Sequence, residues 1–463
     1  MAPLAPPLAA AIAAHRFGLG EATLANVGAD PQAWLLAQIG PADAARGEAL
    51  LDTRGGLALV AAEVERRVAA RNPPPGITAE QLLAGHYREA IVADARSRIA
   101  TAVATRRPFA ERLQLFWANH FTVSLAKGST RGLVGAFERD AIRPHIAGSF
   151  EALLFASTTH PAMLRYLDNV QSAGPNARVV ERAARAAARD GTSPRVTGLN
   201  ENLAREVLEL HTLGAESARE AGGYTQADVT AFARVLTGWR IAPQEPDPTR
   251  RFDPAWHEPG PKTLLGKEYP EGPQALRSVL HDLALHPATA RHLATKLARH
   301  FVADDPPPAL VERLARSYLA QGGELAPVYR ELVRADEAWS ATPAKLKTPE
   351  EFVVSTLRLL GRTDFGAGAA GMVTLGQRVQ AAPSPAGWSD RAADWLGPDA
   401  VWKRVEWATR VADRLGGSVD ARTLAQRSLG PLLADATRLQ IERAADGPQA
   451  LALLLLAPEF QRR

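Results

Sequence analysis

Residues 200–214 hold the polar side chains whose types and spacing could best support chemistry. The run reads Asn-Glu-Asn-Leu-Ala-Arg-Glu-Val-Leu-Glu-Leu-His-Thr-Leu-Gly. On an α-helix, Asn202, Glu206 and Glu209 stand at i, i+4 and i+7 and therefore share one face. Two carboxylates one turn apart can hold a hard cation together or divide the roles of acid and base. We therefore expect Glu206 and Glu209 to be catalytic residues, metal ligands or both.

The same helix offers a simpler explanation for its charges. Glu201, Arg205 and Glu209 repeat at i, i+4, which is the spacing of an ion-pair ladder on an exposed helix. Arg205 is thus either part of such a ladder or a catalytic residue beside the glutamates. His211 is a further candidate metal ligand. It lies ~200° from Glu209 around an α-helix, so it reaches that face only if the helix unwinds before Gly214.

Two histidines elsewhere could complete a site with these carboxylates. His120 ends the aromatic segment Arg-Leu-Gln-Leu-Phe-Trp-Ala-Asn-His, and His257 follows Trp256 in a long loop. A neutral imidazole binds divalent metals or acts as a general base near neutral pH. We predict that His120 is catalytic and that both histidines bind a divalent metal ion. The alternatives are a hydrogen-bonded core or cap histidine at 120 and a solvated histidine at 257.

Asp228 lies in the segment Gly-Gly-Tyr-Thr-Gln-Ala-Asp at 222–228. Thr225 followed three residues later by Asp228 has the spacing of a capping box, so the simplest role of Asp228 is to cap a helix. The alternative is that Asp228 is a catalytic carboxylate acting with Glu206.

Composition and missing motifs exclude several classes of function. The chain has no cysteine, which excludes disulfides, thiolate metal ligands and a cysteine nucleophile. The net charge is only +4, and no stretch combines dense basic charge with aromatic residues, so we expect no nucleic-acid binding. The sequence contains no phosphate-binding loop, no Gly-x-Ser-x-Gly elbow, no His-Glu-x-x-His helix and no dinucleotide fingerprint.

The elements that position these residues are helices. Apolar residues recur with helical spacing in most of the 463-residue chain, and no run of alternation is long enough to build a sheet. We predict an all-α protein: a large multi-helix array with long irregular loops and at most a minor hairpin. The predicted regions are an N-terminal helical region (1–170), an exposed inserted segment (171–199), motif-bearing helices with a long loop (200–275) and a C-terminal helical region (276–463), which forms one compact unit with 1–170.

No segment predicts a membrane span, because the longest apolar runs fall far short of the ~20 residues that a bilayer requires. The apolar N-terminal stretch lacks a basic region and is interrupted by Pro3, Pro6 and Pro7, so it does not predict a signal peptide. We therefore expect a cytoplasmic location, or export together with a partner.

The motifs resemble a bacterial family known as domain of unknown function 1800. The matching segments are 16–20, 116–121, 163–169, 200–214, 223–228, 236–239, 257–266, 286–301, 347–355 and 375–377. The resemblance implies that Arg205, Glu206, Glu209, His211 and Asp228, with both histidines above, belong to motifs, but it assigns none a role. It also implies a partner, because genes of this family often neighbour those of the sulfatase/phosphatase-like domain of unknown function 1501.

Two functions follow as hypotheses. The first is a metal-assisted or two-carboxylate hydrolase acting on an extracellular or envelope polymer such as a glycan, with a divalent metal as the expected cofactor. The second is a non-catalytic helical scaffold or assembly partner of the sulfatase/phosphatase-like enzyme, in which the charges of 201–209 form an ion-pair network. A redox enzyme with a bound cofactor is a third possibility that no motif supports.

Overall fold

A computed structural model describes residues 4–74, 76–193, 196, 198–216, 223–241 and 251–463. The protein is 63% helical, which confirms the predicted all-α class. Its described strands are four short segments in two antiparallel pairs: β1 (Trp239–Arg240) with β2 (Arg251–Phe252), and β3 (Lys262–Leu264) with β4 (Lys267–Tyr269). Gly222 and residues 242–250, which the sequence analysis placed in a turn and in the long loop, lie outside the described residues.

The first half of the chain is built from short and medium α-helices. In chain order they are α1 (Pro6–Ile12), α2 (Pro31–Leu36), α3 (Thr53–Ala69), α4 (Ala79–Leu83), α5 (Arg88–Ala104), α6 (Pro108–His120), α7 (Val134–Phe137), α8 (Phe150–Thr159), α9 (Pro161–Tyr166), α10 (Arg178–Asp190), α11 (Asn202–Glu206) and α12 (Gln226–Leu236). Helix α10, in the predicted inserted segment, buries only Ala187.

The second half follows the same plan. Its α-helices are α13 (Pro273–Ala284), α14 (Pro287–Phe301), α15 (Pro308–Ala320), α16 (Leu325–Arg334), α17 (Pro349–Leu359), α18 (Phe365–Thr374), α19 (Pro398–Leu415), α20 (Ala421–Leu429), α21 (Asp435–Glu442), α22 (Gly447–Leu456) and α23 (Pro458–Gln461). Many of these helices begin with proline, whose fixed φ suits the first turn, where no backbone N–H is needed. In the described part of the chain, no helix has the length and apolar character to cross a membrane.

Within the described ranges, three segments form π-helix, which is rare and often marks a functional site. They are Ala13–Phe17, Glu138–Ile142 and Val207–His211. The first follows α1 directly, the second extends α7, and the third extends α11.

Apolar side chains form two large cores. The larger core runs from Ala10 to Trp339, so it joins residues of the predicted N-terminal, motif-bearing and C-terminal regions. The second core packs α17 to α23 around Phe352 and Trp407 and also takes in Ile99 of α5. A small cluster of Leu19, Ala102, Leu115 and Val354 lies between elements that belong to the two cores. Helices α6, α14 and α17 thus meet where the two cores adjoin, and this junction holds the candidate site.

Candidate functional site

The helix that carries the predicted glutamates changes type in its middle. Helix α11 ends at Glu206, and Val207–His211 continues as π-helix. Because a π-helix bonds residue i to i+5 and has more residues per turn, the 100° step used to place the side chains does not apply beyond Glu206. The directions in which the Glu209 and His211 side chains point are therefore given by their contacts.

Glu209 belongs to an ion-pair ladder on the surface of this helix. A guanidinium nitrogen of Arg205 lies 3.3 Å from Glu201 and another lies 3.8 Å from Glu209, and the three side chains are 29–38% exposed. The Tyr224 hydroxyl also donates a hydrogen bond to Glu209. Burial, together with the charge of Glu209, raises the pKa of Tyr224 to about 12. Arg205 thus occupies the ladder that the sequence offered as the simpler alternative.

Glu206 differs from its neighbours because no described residue forms a hydrogen bond or an ion pair with it. It is half-buried, and burial, followed by the charge of Glu209, raises its carboxyl pKa. A carboxyl group with a raised pKa holds its proton closer to neutral pH, which suits a proton donor. The charge of Glu206 also acts on Tyr166: after burial, it is the second cause of the raised pKa of the Tyr166 hydroxyl.

His120 and His211 come together in the interior. The Nε2 atom of His120 lies 3.1 Å from the carbonyl oxygen of His211, and the two ring centroids are 5.9 Å apart. Each residue is 1% exposed, and in each ring Nδ1 has no hydrogen-bond partner in the described part of the chain. Burial and then the charge of Lys296 lower the pKa of both, that of His211 to about 3. Both imidazoles are therefore neutral at pH 7.

His257 belongs to a different environment. Its Nδ1 lies 2.8 Å from the carbonyl oxygen of Thr237, and its Nε2 lies 3.0 Å from the Lys262 amine. The five predicted metal ligands, Glu206, Glu209, His120, His257 and His211, are thus distributed over at least three environments. Among the residues that the structure describes, no group of three or more histidine or carboxylate side chains could hold a metal ion.

Asp228 caps helix α12. Its carboxylate accepts hydrogen bonds from the backbone N–H and hydroxyl of Thr225, at 2.8 and 2.7 Å. Its other oxygen accepts from the backbone N–H of Leu265, at 2.7 Å, in the turn between β3 and β4. The described hydrogen bonds of Asp228 are therefore structural: those with Thr225 form the capping box of α12, and the one from Leu265 holds the β3–β4 turn against it.

Two adjoining cavities lie beside these elements. The inner cavity, of about 230 Å³, lies between α6, α14, α17 and the segment 377–391, and its lining includes His120. The outer cavity, of about 520 Å³, lies between the 209–216 segment and α14, and its lining includes Glu209 and Tyr224. Lys296, Arg299 and Ala386 line both cavities. The structure therefore places His120 and Glu209 in the linings of two neighbouring cavities that share Lys296 in their walls. We refer to the two cavities together as the cleft.

Helix α14 supplies the polar wall of this cleft. His292, Lys296 and His300 repeat at i, i+4 and i+8, and Arg299 lies at i+7, so all four share one helix face. The helix is set by Pro287 in its first turn and by the His286 side chain, whose Nδ1 accepts from the backbone N–H of Ala288 at 3.1 Å. The opposite face is apolar and packs into the larger core.

The Lys296 amine has no hydrogen-bond or ion-pair partner among the described residues, although it is half-buried. Burial lowers the pKa of Lys296 to about 8, and the charge of Asp390 opposes this effect. A considerable fraction of the amine is therefore neutral just above neutral pH. Such an amine can anchor an anion or act as a base or nucleophile.

Asp390 orients His300 at the edge of the inner cavity. The Nδ1 atom of His300 lies 2.9 Å from Oδ2 of Asp390, and Nε2 has no hydrogen-bond partner in the described ranges. Burial lowers the pKa of His300, whereas the pKa of Asp390 is held far below its usual range by His300, Lys345 and Arg463 in spite of burial. With Asp390 ionised, Nδ1 carries the proton, and the lone pair of the neutral ring is at Nε2.

A buried ion-pair network lies beneath the inner cavity. Arg112 of α6 pairs with Glu351 of α17, and Glu351 is also 2.8 Å from Arg463. These side chains are 2%, 8% and 0% exposed, and the two arginines lower the pKa of Glu351 in spite of its burial. Glu351 also accepts from the backbone N–H of Thr348 in a capping box, which fixes the start of α17.

The segment that carries Asp390 is held against α6 by paired hydrogen bonds. The Asn119 side chain donates to the carbonyl oxygen of Trp388 at 2.9 Å and accepts from its N–H at 2.8 Å. Gly387 makes this approach possible. Its φ is +83°, and a Cβ there would lie 2.5 Å from the Asn119 carbonyl oxygen. Glycine is the residue that tolerates both conditions.

Lys296, His300, Glu351 and Asp390 are site residues that the sequence analysis missed. The apolar spacing of 288–301 predicts a core helix, and it is one, so the polar face of that helix drew no attention. A usable signal was present: basic residues at 292, 296, 299 and 300 form a stripe on a helix that is otherwise apolar. Nothing local links that stripe to Asp390, 90 residues beyond His300.

Comparison with known families gives one match. The sequence model of the family described as "Protein of unknown function (DUF1800)" matches residues 12–462. The chain belongs to the DUF1800 family. No curated protein and no solved structure has significant similarity to the chain. The DUF1800 match covers every residue of the cleft, and its description carries no activity, so any function must be argued from the geometry.

Proposed function

We propose that this DUF1800 protein is a hydrolase that acts on a polymer, such as a glycan, in the cleft formed by the two cavities. The observation that supports it best is the Asp390–His300 pair, with an unpaired Nε2, on the same helix as the unpaired amine of Lys296. A carboxylate that holds a histidine in one tautomer is the arrangement that prepares imidazole to act as a general base.

The proposed chemistry uses side chains alone. His300 accepts a proton at Nε2 from a water molecule as that water attacks the scissile bond of the substrate. This step requires substrate binding to expose Nε2, because the atom is shielded from solvent in this structure. Asp390 stabilises the imidazolium that forms, because its charge lies 2.9 Å from Nδ1. Lys296 lies one turn away and stabilises the negative charge that develops on the leaving oxygen as the scissile bond breaks. The His300 imidazolium then gives its proton to that oxygen, which restores the neutral ring.

The outer cavity fits the binding of further units of a polymer. Tyr224 and Glu209 offer a hydroxyl and a carboxylate, which are suitable partners for sugar hydroxyl groups. Trp388 and Phe116 supply apolar area in the inner cavity. An elongated cleft with aromatic and hydrogen-bonding walls suits a chain-like ligand better than a compact one.

The two-carboxylate mechanism is a narrower version of the same proposal. In it, Glu206, whose raised pKa favours the protonated form, donates a proton, and Glu209 acts as the base. The two mechanisms differ in the substitution that is expected to abolish turnover: Glu206→Gln in this one and His300→Ala in the other. We place the metal-assisted version behind both, because the predicted ligands do not converge among the described residues.

Activity measurements on purified protein test this proposal. Glycans, including acidic ones, are incubated with the protein, and new reducing ends are counted. With a hydrolysed substrate in hand, His300→Ala should lower kcat by about 10²–10⁴-fold, the usual contribution of a general base. Glu206→Gln should leave kcat within a few-fold of wild type. The reverse pattern would favour the two-carboxylate mechanism, and full activity in both variants would rule out both assignments.

The chain contains a matched control for the histidine–carboxylate pair. His281 lies 2.7 Å from Glu151, but the histidine is 52% exposed and lines neither cavity. His281→Ala removes the same kind of pair from the surface. It should leave kcat and KM unchanged, so a loss of activity in His300→Ala alone would be specific to the cleft.

The scaffold function is a second candidate, supported by the sealed network around Glu351. A buried glutamate paired with two buried arginines, all of 0–8% exposure, is typical of a structural role. In this version the protein is an assembly partner of a sulfatase/phosphatase-like enzyme of the domain of unknown function 1501 family. Co-expression of both proteins followed by size-exclusion chromatography tests it. Separate elution at all ratios would exclude a stable complex.

A further inference from the structure

We infer that the cleft recognises its substrate through a compact anionic group, such as a phosphate, sulfate or carboxylate, bound between Lys296 and Arg299. This inference rests on the proposed function in one respect only: it assigns the anion to the hydrolase substrate. The binding site itself lies where the two cavities adjoin, because Lys296 and Arg299 line both of them.

The acidic side chains of the inner cavity are already engaged by other cations. Glu350 pairs with Arg98 at 2.5 Å, Glu351 pairs with Arg112, and Asp390 is bound by His300 and Lys345. None of these carboxylates forms an ion pair with Lys296 in the described structure. The acidic groups of the cavity wall are therefore balanced without Lys296.

Arg299 is the second cation without a carboxylate partner. Its Nε donates to the backbone carbonyl oxygen of Asp304 at 3.1 Å, and no other hydrogen bond or ion pair to a described residue involves its guanidinium. The remaining arginine of the inner cavity wall with an exposed head, Arg391, pairs with Asp305 at 3.1 Å. Two cations without an ion-pair partner among the described residues thus lie one turn apart on α14, although the charge of Asp390 acts on Lys296 from beyond ion-pair distance.

Two described carboxylates, Glu209 and Glu216, line the outer cavity, and neither forms an ion pair with Lys296 or Arg299. Glu209 is bound by Arg205 and Tyr224, and Arg291 lies 3.6 Å from Glu312 on the exposed side of α14. His292 lines this cavity but is neutral at pH 7, since burial lowers its pKa to about 4. On this side, too, Lys296 and Arg299 have no ion-pair partner among the described residues, although the Glu216 carboxylate lines the same cavity.

The two side chains have complementary chemistry for an oxyanion. Lysine supplies a point charge with three donors, and arginine supplies a planar fork that can bind two oxygens at once. Partial burial strengthens both interactions, because the local dielectric constant is lower than that of water. A neutral ligand would leave the two charges uncompensated, so an anionic group is the chemistry that this junction favours.

Calorimetric titration of the full-length protein with inorganic phosphate, sulfate and acetate tests the inference. We expect saturable binding of at least one anion. Lys296→Gln and Arg299→Gln should each weaken it by about tenfold or more, the usual effect of a charge-assisted hydrogen bond. Lys296→Arg should retain most of the affinity. The relative affinities of the three anions identify which kind of group the substrate carries.

A surface lysine provides the matched control. Lys403 pairs with Asp399 on α19 and lines neither cavity, so Lys403→Gln should bind anions as the wild type does. Circular dichroism melting confirms that each variant is folded. Absence of saturable binding in wild type, or equal binding in Lys296→Gln, would overturn the inference.

Failure of the inference can be separated from failure of the proposed function. Hydrolysis of a neutral polymer without anion binding would leave the hydrolase and remove the anionic subsite. Anion binding that depends on Lys296, in a protein that hydrolyses none of the polymers offered, would leave the subsite and remove the hydrolase.

Discussion

His300 and Asp390 form a 2.9 Å contact across 90 residues of chain, and this contact joins the two halves of the inner cavity. His300 lies on α14, which packs into the larger core, whereas Asp390 lies in the segment that leads into the second core. The same carboxylate group lies 3.8 Å from the Lys345 amine, which is 1% exposed. Asp390 is therefore both a candidate site residue and a structural anchor.

Substitution of Asp390 should destabilise the protein even if no substrate is present. In Asp390→Asn, Lys345 keeps its pairing with Asp304 but loses one of its two acidic partners, and His300 loses its anion. Because the Asp390 side chain is 24% exposed, we expect the free energy of unfolding to fall by about 1–3 kcal/mol, the range for a hydrogen bond to a charged group. Urea denaturation followed by circular dichroism measures it.

The exposed pair of His281 and Glu151 again serves as the control. Because both partners are solvated, Glu151→Gln should change the free energy of unfolding by less than about 1 kcal/mol. If Asp390→Asn and Glu151→Gln lowered the free energy of unfolding equally, the contact between His300 and Asp390 would stabilise the protein no more than an exposed pair does.

The unusual pKa of Lys296 predicts a pH-dependent stability. The pKa is about 8 in the folded protein and 10.5 in its ordinary state. Between these values the unfolded chain binds the additional proton, so this residue makes the free energy of unfolding rise with pH through that window. Below pH 8 its penalty is fully present, so Lys296→Met should be more stable there than wild type, by at most about 3 kcal/mol.

Denaturation of both proteins from pH 7 to pH 11 checks this prediction. The stability difference should shrink steadily above pH 8 and vanish near pH 10.5, whereas Lys403→Met, at an exposed position, should show no such trend. A Lys296→Met variant that is less stable than wild type at pH 7 would show that the amine has a stabilising partner in solution.

Gly387 should tolerate no side chain. A Cβ at this position would lie 2.5 Å from the Asn119 carbonyl oxygen, and its φ is +83°. Gly387→Ala should lower stability by about 2 kcal/mol or more, since it combines backbone strain with displacement of the 387–391 segment. Gly376 is the control, because its φ is +90° and a Cβ there meets nothing within 4 Å. Gly376→Ala should lower stability by about 1 kcal/mol. Thermal melting of both variants separates the two effects: Gly376→Ala measures the cost of the positive φ alone, and the additional loss in Gly387→Ala measures the cost of the contact with Asn119.

Asp228 is expected to affect stability and not ligand binding. Asp228→Ala removes the cap of α12 and the acceptor for Leu265, which should lower the free energy of unfolding by about 1–2 kcal/mol. Asp228→Asn keeps an acceptor oxygen and should lose less. Anion binding, measured by calorimetry, should be unchanged in both. A variant that folds with wild-type stability but no longer binds or turns over ligand would support the alternative that Asp228 is a catalytic carboxylate.

Local patterns in the sequence predicted most of the helices. Helices α14 (Pro287–Phe301) and α19 (Pro398–Leu415) are examples, because apolar periodicity and proline at the first turn are encoded within each segment. The capping box of Thr225 and Asp228 is equally local, and it is present.

The candidate site was less predictable because its contacts are long-range. The pairing of Glu351 with Arg112 spans 239 residues, and no periodicity reports which distant segments meet. The prediction for 200–214 also assumed a regular α-helix, which ends at Glu206. Sequence spacing thus identified a helix with one end at the cleft, through Glu209, but not the opposite wall formed by α14.

The π-helical turn at Val207–His211 affects how this sequence should be aligned with those of its relatives. A wider turn accommodates one more residue than an α-helix of the same length. A family member that lacked a single residue here could keep both flanking segments in place while rotating the position of Glu209 away from Tyr224. Gaps in this stretch would therefore separate members with different outer cavities, even where every named residue is retained.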